Sequence, residues 1–300
     1  MKTTSGVWMG AVLAVAGLAA AAGVQARDID QRVAADPGGQ VVVNNVVGKV
    51  NVEGWDKAEV AVTGSIDSGV ERVDVLRDGS RVTVRVVLPT TNSRRDADAD
   101  LVIRVPKGSA LEVTAVSADI GVREVAGALR LKSVSGEIVA QGVMKDSEFK
   151  SVSGDIRVTA AAPAARLIAY SVSGNLVVDD LAGELEATTV SGDLLLDLGT
   201  ITNLRLRSTS GDARLGGRLA KGARVDFESV SGDLTAKLTA AAGFSVEADT
   251  FSGSLSNCFG VKSAAASQFG PGERMSLTRG EGSARIRAKT MSGDVRICDR

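Results

Sequence analysis

The chain has no histidine among its 300 residues. Ser-His-Asp and Cys-His nucleophile systems and His-ligated zinc sites are therefore excluded. Aromatic residues make up only 3% of the chain, which argues against sugar-stacking platforms and aromatic cages. No P-loop occurs, and the stretch GEGSAR at 280–285 lacks the third glycine of a dinucleotide fingerprint. The usual sequence signs of an enzyme are thus missing.

Charge of either sign is also not in excess. The chain has 35 Lys and Arg against 36 Asp and Glu. Nucleic acids and anionic membrane surfaces demand a clear basic excess in their partners. The composition therefore excludes nucleic acid from the expected partners.

One long apolar run is present, and it lies at the N-terminus. Lys2 precedes the apolar run GVWMGAVLAVAGLAAAAG at 6–23. Val24 and Ala26 occupy positions −3 and −1 relative to a cut between Ala26 and Arg27. This pattern predicts a signal peptide over residues 1–26. No later run reaches the ~18 apolar residues of a membrane helix. We expect an exported chain without a membrane span after cleavage, located in the periplasm, on the cell surface or secreted.

A pentapeptide close to SVSGD recurs through the second half of the chain. Its glycines are Gly136, Gly154, Gly174, Gly192, Gly211, Gly232, Gly253 and Gly293. The steps are 18 to 21 residues, with a last step of 40, and apolar residues alternate on both sides of each glycine. A period near 20 with two-residue alternation predicts an all-β fold, namely a single-stranded parallel β-helix (β-solenoid), right-handed, with about 20 residues per coil.

The regularity of the repeat divides the chain after the signal peptide. We expect residues 27–112 to form an irregular β region that starts and caps the solenoid. Residues 113–300 form the repetitive solenoid. Within it, residues 259–282 are too long and glycine-rich for the usual connection and are predicted to be an excursion from it.

The repeated glycine is interpreted as a structural corner, since tight corners call for positive φ. The residue after it is mostly acidic, and Asp193, Asp212 and Asp233 form the longest uninterrupted acidic run. These residues could serve backbone turn chemistry, bind cations such as calcium as a metal site, or act as paired acids on a glycan. We favour turn chemistry, because Asn175 and Ser254 interrupt the row.

The residue between the two serines of each corner is usually apolar. The row is Val134, Val152, Val172, Val190, Thr209, Val230, Phe251 and Met291. Strict alternation through the corner would turn it outward as an adhesive stripe, whereas a change of parity at the corner would bury it. We predict the core, because corners in coiled β-structure break alternation. We interpret the corner serines as structural ladders, since no base is available to activate them.

The two cysteines occupy the same phase of the repeat, five residues after Gly253 and Gly293 respectively. If residues 259–282 form an excursion, Cys258 and Cys298 lie on adjacent coils, within reach of each other. We therefore predict a disulfide, which export would favour. Its expected role is to pin the last coil, whose outer edge would have no neighbour.

The ordered set of segments VNNVVGKVNVEGWDKAEVAVTG, LVIRVPKGSALEV, repeated SVSGDI, FSGSLSNCFG and GPGERMSLTRGEGSARIRAKTMSGDVRI resembles the bacterial putative-adhesin family. The resemblance extends over most of the chain after residue 26. It implies an exported β-solenoid domain of unknown function that is not an enzyme. It carries over no site residues.

These observations predict a non-enzymatic, exported, adhesin-like protein that has a structural or interaction role in the bacterial envelope. Its partner would be an envelope or extracellular protein or a glycan, and no cofactor is expected. Two alternatives stay open. The first is a carbohydrate-active enzyme using the carboxylate row, and the second is a calcium-stabilised binding rod.

Overall fold

The computed structural model describes residues 26–89, 97–161, 165–267 and 271–299. Within these residues the fold is all-β, with 23 strands in one continuous hydrogen-bonded sheet and no helix. The predicted signal peptide lies outside the described residues except for Ala26. In the described part of the chain, no helix is long and apolar enough to cross a bilayer.

The strands follow one another with short connections. The N-terminal strands are β1 Arg27–Ala34, β2 Gln40–Trp55, β3 Glu59–Ile66, β4 Arg72–Asp78, β5 Arg81–Val87, β6 Ala99–Pro106 and β7 Ala110–Arg123. The middle strands are β8 Leu129–Ser133, β9 Ile138–Val143, β10 Ser147–Ser151, β11 Ile156–Ala160, β12 Ala165–Ser173, β13 Leu176–Asp179, β14 Gly183–Ser191, β15 Leu194–Ser210 and β16 Ala213–Ser231. The C-terminal strands are β17 Leu234–Ala240, β18 Gly243–Ser252, β19 Leu255–Asn257, β20 Ala264–Ala265, β21 Glu273–Gly280, β22 Ala284–Ser292 and β23 Val295–Cys298.

Two parallel ladders meet at the repeated corner. The pre-corner ladder contains the strand segments that end at each repeated corner. After β2, which pairs in parallel with β7 on both sides of the first corner, its order is β7, β8, β10, β12, β14, β15, β16, β22, β18. The post-corner ladder contains the segments that follow, in the order β7, β9, β11, β13, β15, β16, β17, β23, β19. We call one pre-corner segment, its corner and the next post-corner segment a rung.

The core lies between the ladders because alternate side chains of each strand point inward. In β8 and β10 the buried apolar side chains are Leu129, Leu131 and Phe149, and Ile156 and Val158 are their counterparts in β11. The residues between them are half-buried or exposed. Each fully buried Leu, Ile or Phe contributes about 1.5 to 3 kcal/mol of transfer free energy. The alternation read from the sequence therefore gives the observed core.

Antiparallel strands occupy the N-terminal end. β1 pairs with β3, β3 with β6, and β4 with β5, all antiparallel, while β5 and β6 pair in parallel with β2. These pairings cover the backbone edges that the first parallel strands would otherwise expose to other chains.

At the C-terminal end the order in space differs from the order in sequence. The last rung, β22–β23, lies between β16–β17 and β18–β19. The outer edge of β18 pairs antiparallel with β21, which belongs to the predicted excursion. We predicted that the C-terminal rung would be outermost and without an outer neighbour, and this prediction is wrong. The excursion itself supplies β21, the strand that covers the end of the ladder. The chain then continues into β22, which lies one rung further in.

Candidate binding surface at the corner

The corner glycines form a column in which the backbones of adjacent rungs lie very close. A Cβ added to Gly154 would lie 2.2 Å from the carbonyl oxygen of Gly136, and one added to Gly192 would lie 2.2 Å from that of Gly174. Five of the eight have positive φ, from 121° at Gly211 to 159° at Gly293, but Gly154 does not. The requirement that all eight share is close stacking rather than backbone conformation.

The residues after the glycines form a second column, joined by hydrogen bonds between rungs. Each side-chain oxygen accepts a bond from the backbone N–H of the corresponding residue in the next rung. The N···O distances are 2.8 Å for Asn175 to Asp155, 3.0 Å for Asp193 to Asn175, 2.9 Å for Asp212 to Asp193, 3.0 Å for Asp233 to Asp212, 2.8 Å for Asp294 to Asp233 and 2.8 Å for Ser254 to Asp294. We call this set, together with Asp119 and Glu137, the acidic column.

The structure thus brings Asp193, Asp212 and Asp233 together in the acidic column, where they bond backbone groups. Our turn interpretation assumed that each side chain bonds the backbone of its own turn. The bond runs instead to the backbone of the next rung. Asn175 fits the row because its amide oxygen accepts equally well. Glu137 differs, since its carboxylate accepts from Arg157 at 2.6 Å. Among the described residues no group of three or more His, Cys, Asp or Glu is placed to hold a metal ion.

Substitution of Asp193 should separate backbone bonding from cation binding. Asp193→Asn keeps the acceptor for the Asp212 N–H and should change the free energy of unfolding by less than about 0.5 kcal/mol, whereas Asp193→Ala should lower it by about 1 to 2 kcal/mol. Urea unfolding with calcium and with chelator measures both variants. An Asn variant as damaged as the Ala variant, or a calcium-dependent gain that Asn abolishes, would overturn the backbone role.

The first hydroxyl of each corner is buried and points inward. These side chains are Ser133, Ser151, Ser171, Thr189, Ser208, Ser229, Thr250 and Thr290. Thr250 donates to the carbonyl oxygen of Gly293 at 3.2 Å. The other seven hydroxyls have no hydrogen-bond partner within the described part of the chain. Their small size, rather than their polarity, is what the meeting point of the two ladders requires.

The residue after that hydroxyl, or after Ala115 in the first of the nine rungs, points outward. The apolar side chains Val116, Val134, Val152, Val172, Val190, Val230, Phe251 and Met291 have between 43% and 60% of their surface exposed. Together with the exposed Thr209 they form one line across nine rungs, which we call the corner stripe. We predicted this row to be core, and the prediction is wrong, because strict alternation continues up to the corner and the small hydroxyl takes the inward position.

Charged columns flank the corner stripe. On one side lies the acidic column. On the other lies the residue two positions before each stripe residue, in the order Thr114, Lys132, Lys150, Tyr170, Thr188, Arg207, Glu228, Lys289 and Asp249. We call this the mixed column. The Lys150 ammonium hydrogen-bonds Glu148 and holds the pKa of that carboxyl below its usual range, so Lys150 already has a partner on its own strand.

A polar groove of about 540 Å³ lies beside the first rungs, and its lining includes Glu53, Asp119, Arg123 and Glu137. Its carboxylates already have partners: Glu53 pairs with Arg104 and Arg123, Asp119 accepts the Glu137 N–H, and Glu137 accepts from Arg157. All three carboxylates that line the groove are thus engaged in ion pairs or hydrogen bonds within the chain.

Comparison with known families places the chain. The model of the family described as Toastrack DUF4097 matches residues 40–298. The chain belongs to the Toastrack family. The family is of unknown function, and its β-solenoid agrees with the all-β fold described above. No curated protein matches this Toastrack chain.

Three solved structures resemble the Toastrack chain in outline. A putative adhesin from Bacteroides fragilis is 13% identical, covers 91% of this chain and 97% of its own, and has a TM-score of 0.45. A putative adhesin from Parabacteroides distasonis is 11% identical with the same coverages and a TM-score of 0.38. A putative lipid binding protein from the same species is 9% identical, covers 91% of this chain and 96% of its own, and has a TM-score of 0.30.

Proposed function

We propose that this Toastrack chain is an exported, non-enzymatic, adhesin-like β-solenoid that acts as an interaction protein of the bacterial envelope. Its coil is right-handed with about 20 residues per turn, in line with register offsets of 18 to 21 residues such as Ile156 to Leu176 and Ala213 to Leu234. The predicted signal peptide at 1–26 supports export.

The observation that carries the proposal is the corner stripe. Single exposed apolar side chains are common on soluble proteins, but a continuous apolar line rimmed by polar residues is typical of interaction sites. Eight of the nine rungs place an apolar residue at this position. Thr209 shows that a polar residue fits this position, so the fold does not demand an apolar one.

The state of the carboxylates supports a non-enzymatic role. Each acid that the sequence suggested for catalysis or metal binding accepts a hydrogen bond from a backbone N–H. A carboxylate held in this way is positioned by the backbone of the next rung, and the bond gives it a structural role.

The test is an adhesion assay with the mature chain, residues 27–300. Beads coated with it should bind envelope fragments from the producing bacterium, and Val152→Thr/Val172→Thr/Val190→Thr should reduce bound beads by at least about tenfold, since each methyl lost from a buried contact costs roughly 1 kcal/mol. The assay counts beads per unit of envelope protein.

The chain offers a matched control. Leu76 and Met144 are also exposed apolar side chains, but they lie outside the corner stripe. Leu76→Thr/Met144→Thr should bind like wild type. Equal binding by the stripe variant and the control variant would remove the stripe from the function, and hydrolysis of an envelope glycan by the purified chain would show an enzyme.

A further inference from the structure

The two flanks of the corner stripe differ in charge. Seven of the nine residues in the acidic column carry a carboxylate, namely Asp119, Glu137, Asp155, Asp193, Asp212, Asp233 and Asp294. The mixed column has four bases, Lys132, Lys150, Arg207 and Lys289, against Glu228 and Asp249. The stripe therefore runs along a boundary between a strongly acidic edge and a weakly basic edge.

Two copies of the chain can pack stripe against stripe in two symmetric ways. If the two-fold axis is perpendicular to the stripe, the rods run antiparallel, and the acidic column of one copy faces the acidic column of the other. If the axis runs along the stripe, the rods run parallel, and each acidic column faces a mixed column. Like charges placed together are costly at interfaces and opposite charges set orientation. The parallel arrangement is the one that the charges allow.

The register of the rungs also favours the parallel arrangement. In the parallel arrangement each rung faces its own counterpart, so the residues of one rung meet across the interface. Four rungs then place a base opposite an acid, the pairs being Lys132 with Glu137, Lys150 with Asp155, Arg207 with Asp212 and Lys289 with Asp294. Three of these bases also pair with an acid of their own chain, namely Lys132 with Glu112, Lys150 with Glu148 and Arg207 with Glu228, so the interface pairs would add to these contacts. Only the rung of Glu228 and Asp233 places two acids together. The two-fold axis repeats each favourable pair on the other side of the stripe.

We propose that the occupant of the corner stripe is a second copy of this chain, packed in parallel and in register. The inference rests on the proposed function, because it names the partner of the same surface. A second copy also matches the repeat distance of the rungs, about 4.8 Å, along the whole stripe.

The dimensions agree with a stable dimer. Nine rungs at about 4.8 Å span roughly 40 Å, and the stripe with both flanking columns is about 15 to 20 Å wide at the residue spacing of strands. The product, about 600 to 800 Å² on each copy, approaches the ~800 Å² per partner of a standard interface. The stripe alone is one side chain wide and would be too small, so the flanking charges belong to the interface.

The oligomeric state tests the inference first. Sedimentation of the mature chain between about 1 and 100 μM should show a dimer, and Val172→Asp should raise the dissociation constant at least about a hundredfold by burying two carboxylates without partners. The control Met144→Asp should dimerise like wild type. A wild-type chain that stays monomeric at the highest concentration overturns the inference.

Orientation is tested by cysteine crosslinking under an oxidant. Val134 is the second of the nine stripe residues, so it faces its own counterpart in the parallel dimer and Met291 in a centred antiparallel one. Val134→Cys should therefore form a covalent homodimer on non-reducing gels. A crosslink that appears only when Val134→Cys is mixed with Met291→Cys would overturn the parallel arrangement.

A charge exchange tests the flanks. Glu137 is suited to it because its carboxylate bonds the exposed Arg157 and not the next rung's backbone. Lys132→Glu and Glu137→Lys should each weaken dimerisation several-fold, and the double variant should restore it, since the pair meets across the interface. Loss that is merely additive in the double variant would argue that these columns do not meet.

Failure of this inference is distinguishable from failure of the proposed function. If the second copy is the partner, beads should bind envelopes of the producing strain and not those of a strain lacking the gene. Binding to both envelopes that depends on the stripe would retain the function and overturn the second copy as partner. A dimer whose beads bind neither envelope would retain the dimer and overturn the adhesive function.

Discussion

Gly154→Ala should lower the free energy of unfolding by about 3 kcal/mol or more, because overpacking against a rigid backbone costs at the upper end of the usual range. The added Cβ would lie 2.2 Å from the carbonyl oxygen of Gly136 and 2.7 Å from its carbonyl carbon. Neither atom belongs to a side chain that could rotate away, so the two rungs would have to separate. Separation would weaken the ladder bonds on both sides of the corner. Urea unfolding measures the loss.

Two control glycines separate stacking from conformation. Gly142 has φ of 75° with no atom within 4 Å of an added Cβ, and Gly38 has open space without positive φ. Gly142→Ala should cost about 1 kcal/mol from strain in the left-handed region, and Gly38→Ala should be neutral or slightly stabilising. A loss at Gly154 no larger than that at Gly142 would contradict stacking as the reason for the glycine column.

The sequence was sufficient to predict the all-β fold and the pairing of the cysteines. The alternation of inward residues such as Leu129, Leu131 and Phe149 is a local property of each strand, and it does not depend on which strand lies beside it. The disulfide between Cys258 and Cys298 is present, with a Cα–Cα distance of 5.0 Å. Equal phase puts the two residues in the same column, and the excursion at 259–282 puts them on adjacent rungs; the prediction needed both.

The outward orientation of the corner stripe follows from the alternation along each strand, but we predicted it wrongly. The inward series of β10 is Ser147, Phe149 and Ser151, so the alternation passes through a buried serine to the exposed Val152. Hydrophobicity alone favours burying valine over serine, which is why the sequence predicts the wrong side for the valine row. The meeting of two ladders leaves room only for a small side chain at the inward position, and this is a tertiary constraint that a local pattern does not contain.

The position of the last rung could not be predicted from a repeat. Inward residues of β16, β18 and β22 are all apolar in the same phase, for example Val225, Val246 and Ile286. Any of these strands would therefore pack beside any other, and the pattern does not fix their order. The order follows from the excursion, whose strand β21 covers β18 and leaves β22 no free place at the end.

Reduction of Cys258–Cys298 should loosen the four strands β18, β19, β22 and β23 together. The bond closes a loop with a sequence separation of 40 residues, for which chain entropy gives a stabilisation of about 3 to 4 kcal/mol. A loss of about 3 kcal/mol corresponds to roughly a hundredfold faster amide exchange. Hydrogen exchange with and without reductant measures it, and strands β8 to β13 should be unchanged. A Cys258→Ser/Cys298→Ser variant should show no further response to reductant.

The position of the last rung, between two other rungs, couples the opening of β22 and β23 to the opening of β18 and β19. Because β22 lies between β16 and β18, and β23 between β17 and β19, opening of the last rung removes the parallel neighbour of β18 and β19 as well. An outermost last rung would open alone and leave β18 and β19 protected by the rung beneath them. Faster exchange confined to β22 and β23 would therefore contradict the inserted arrangement, whereas joint loss of protection supports it.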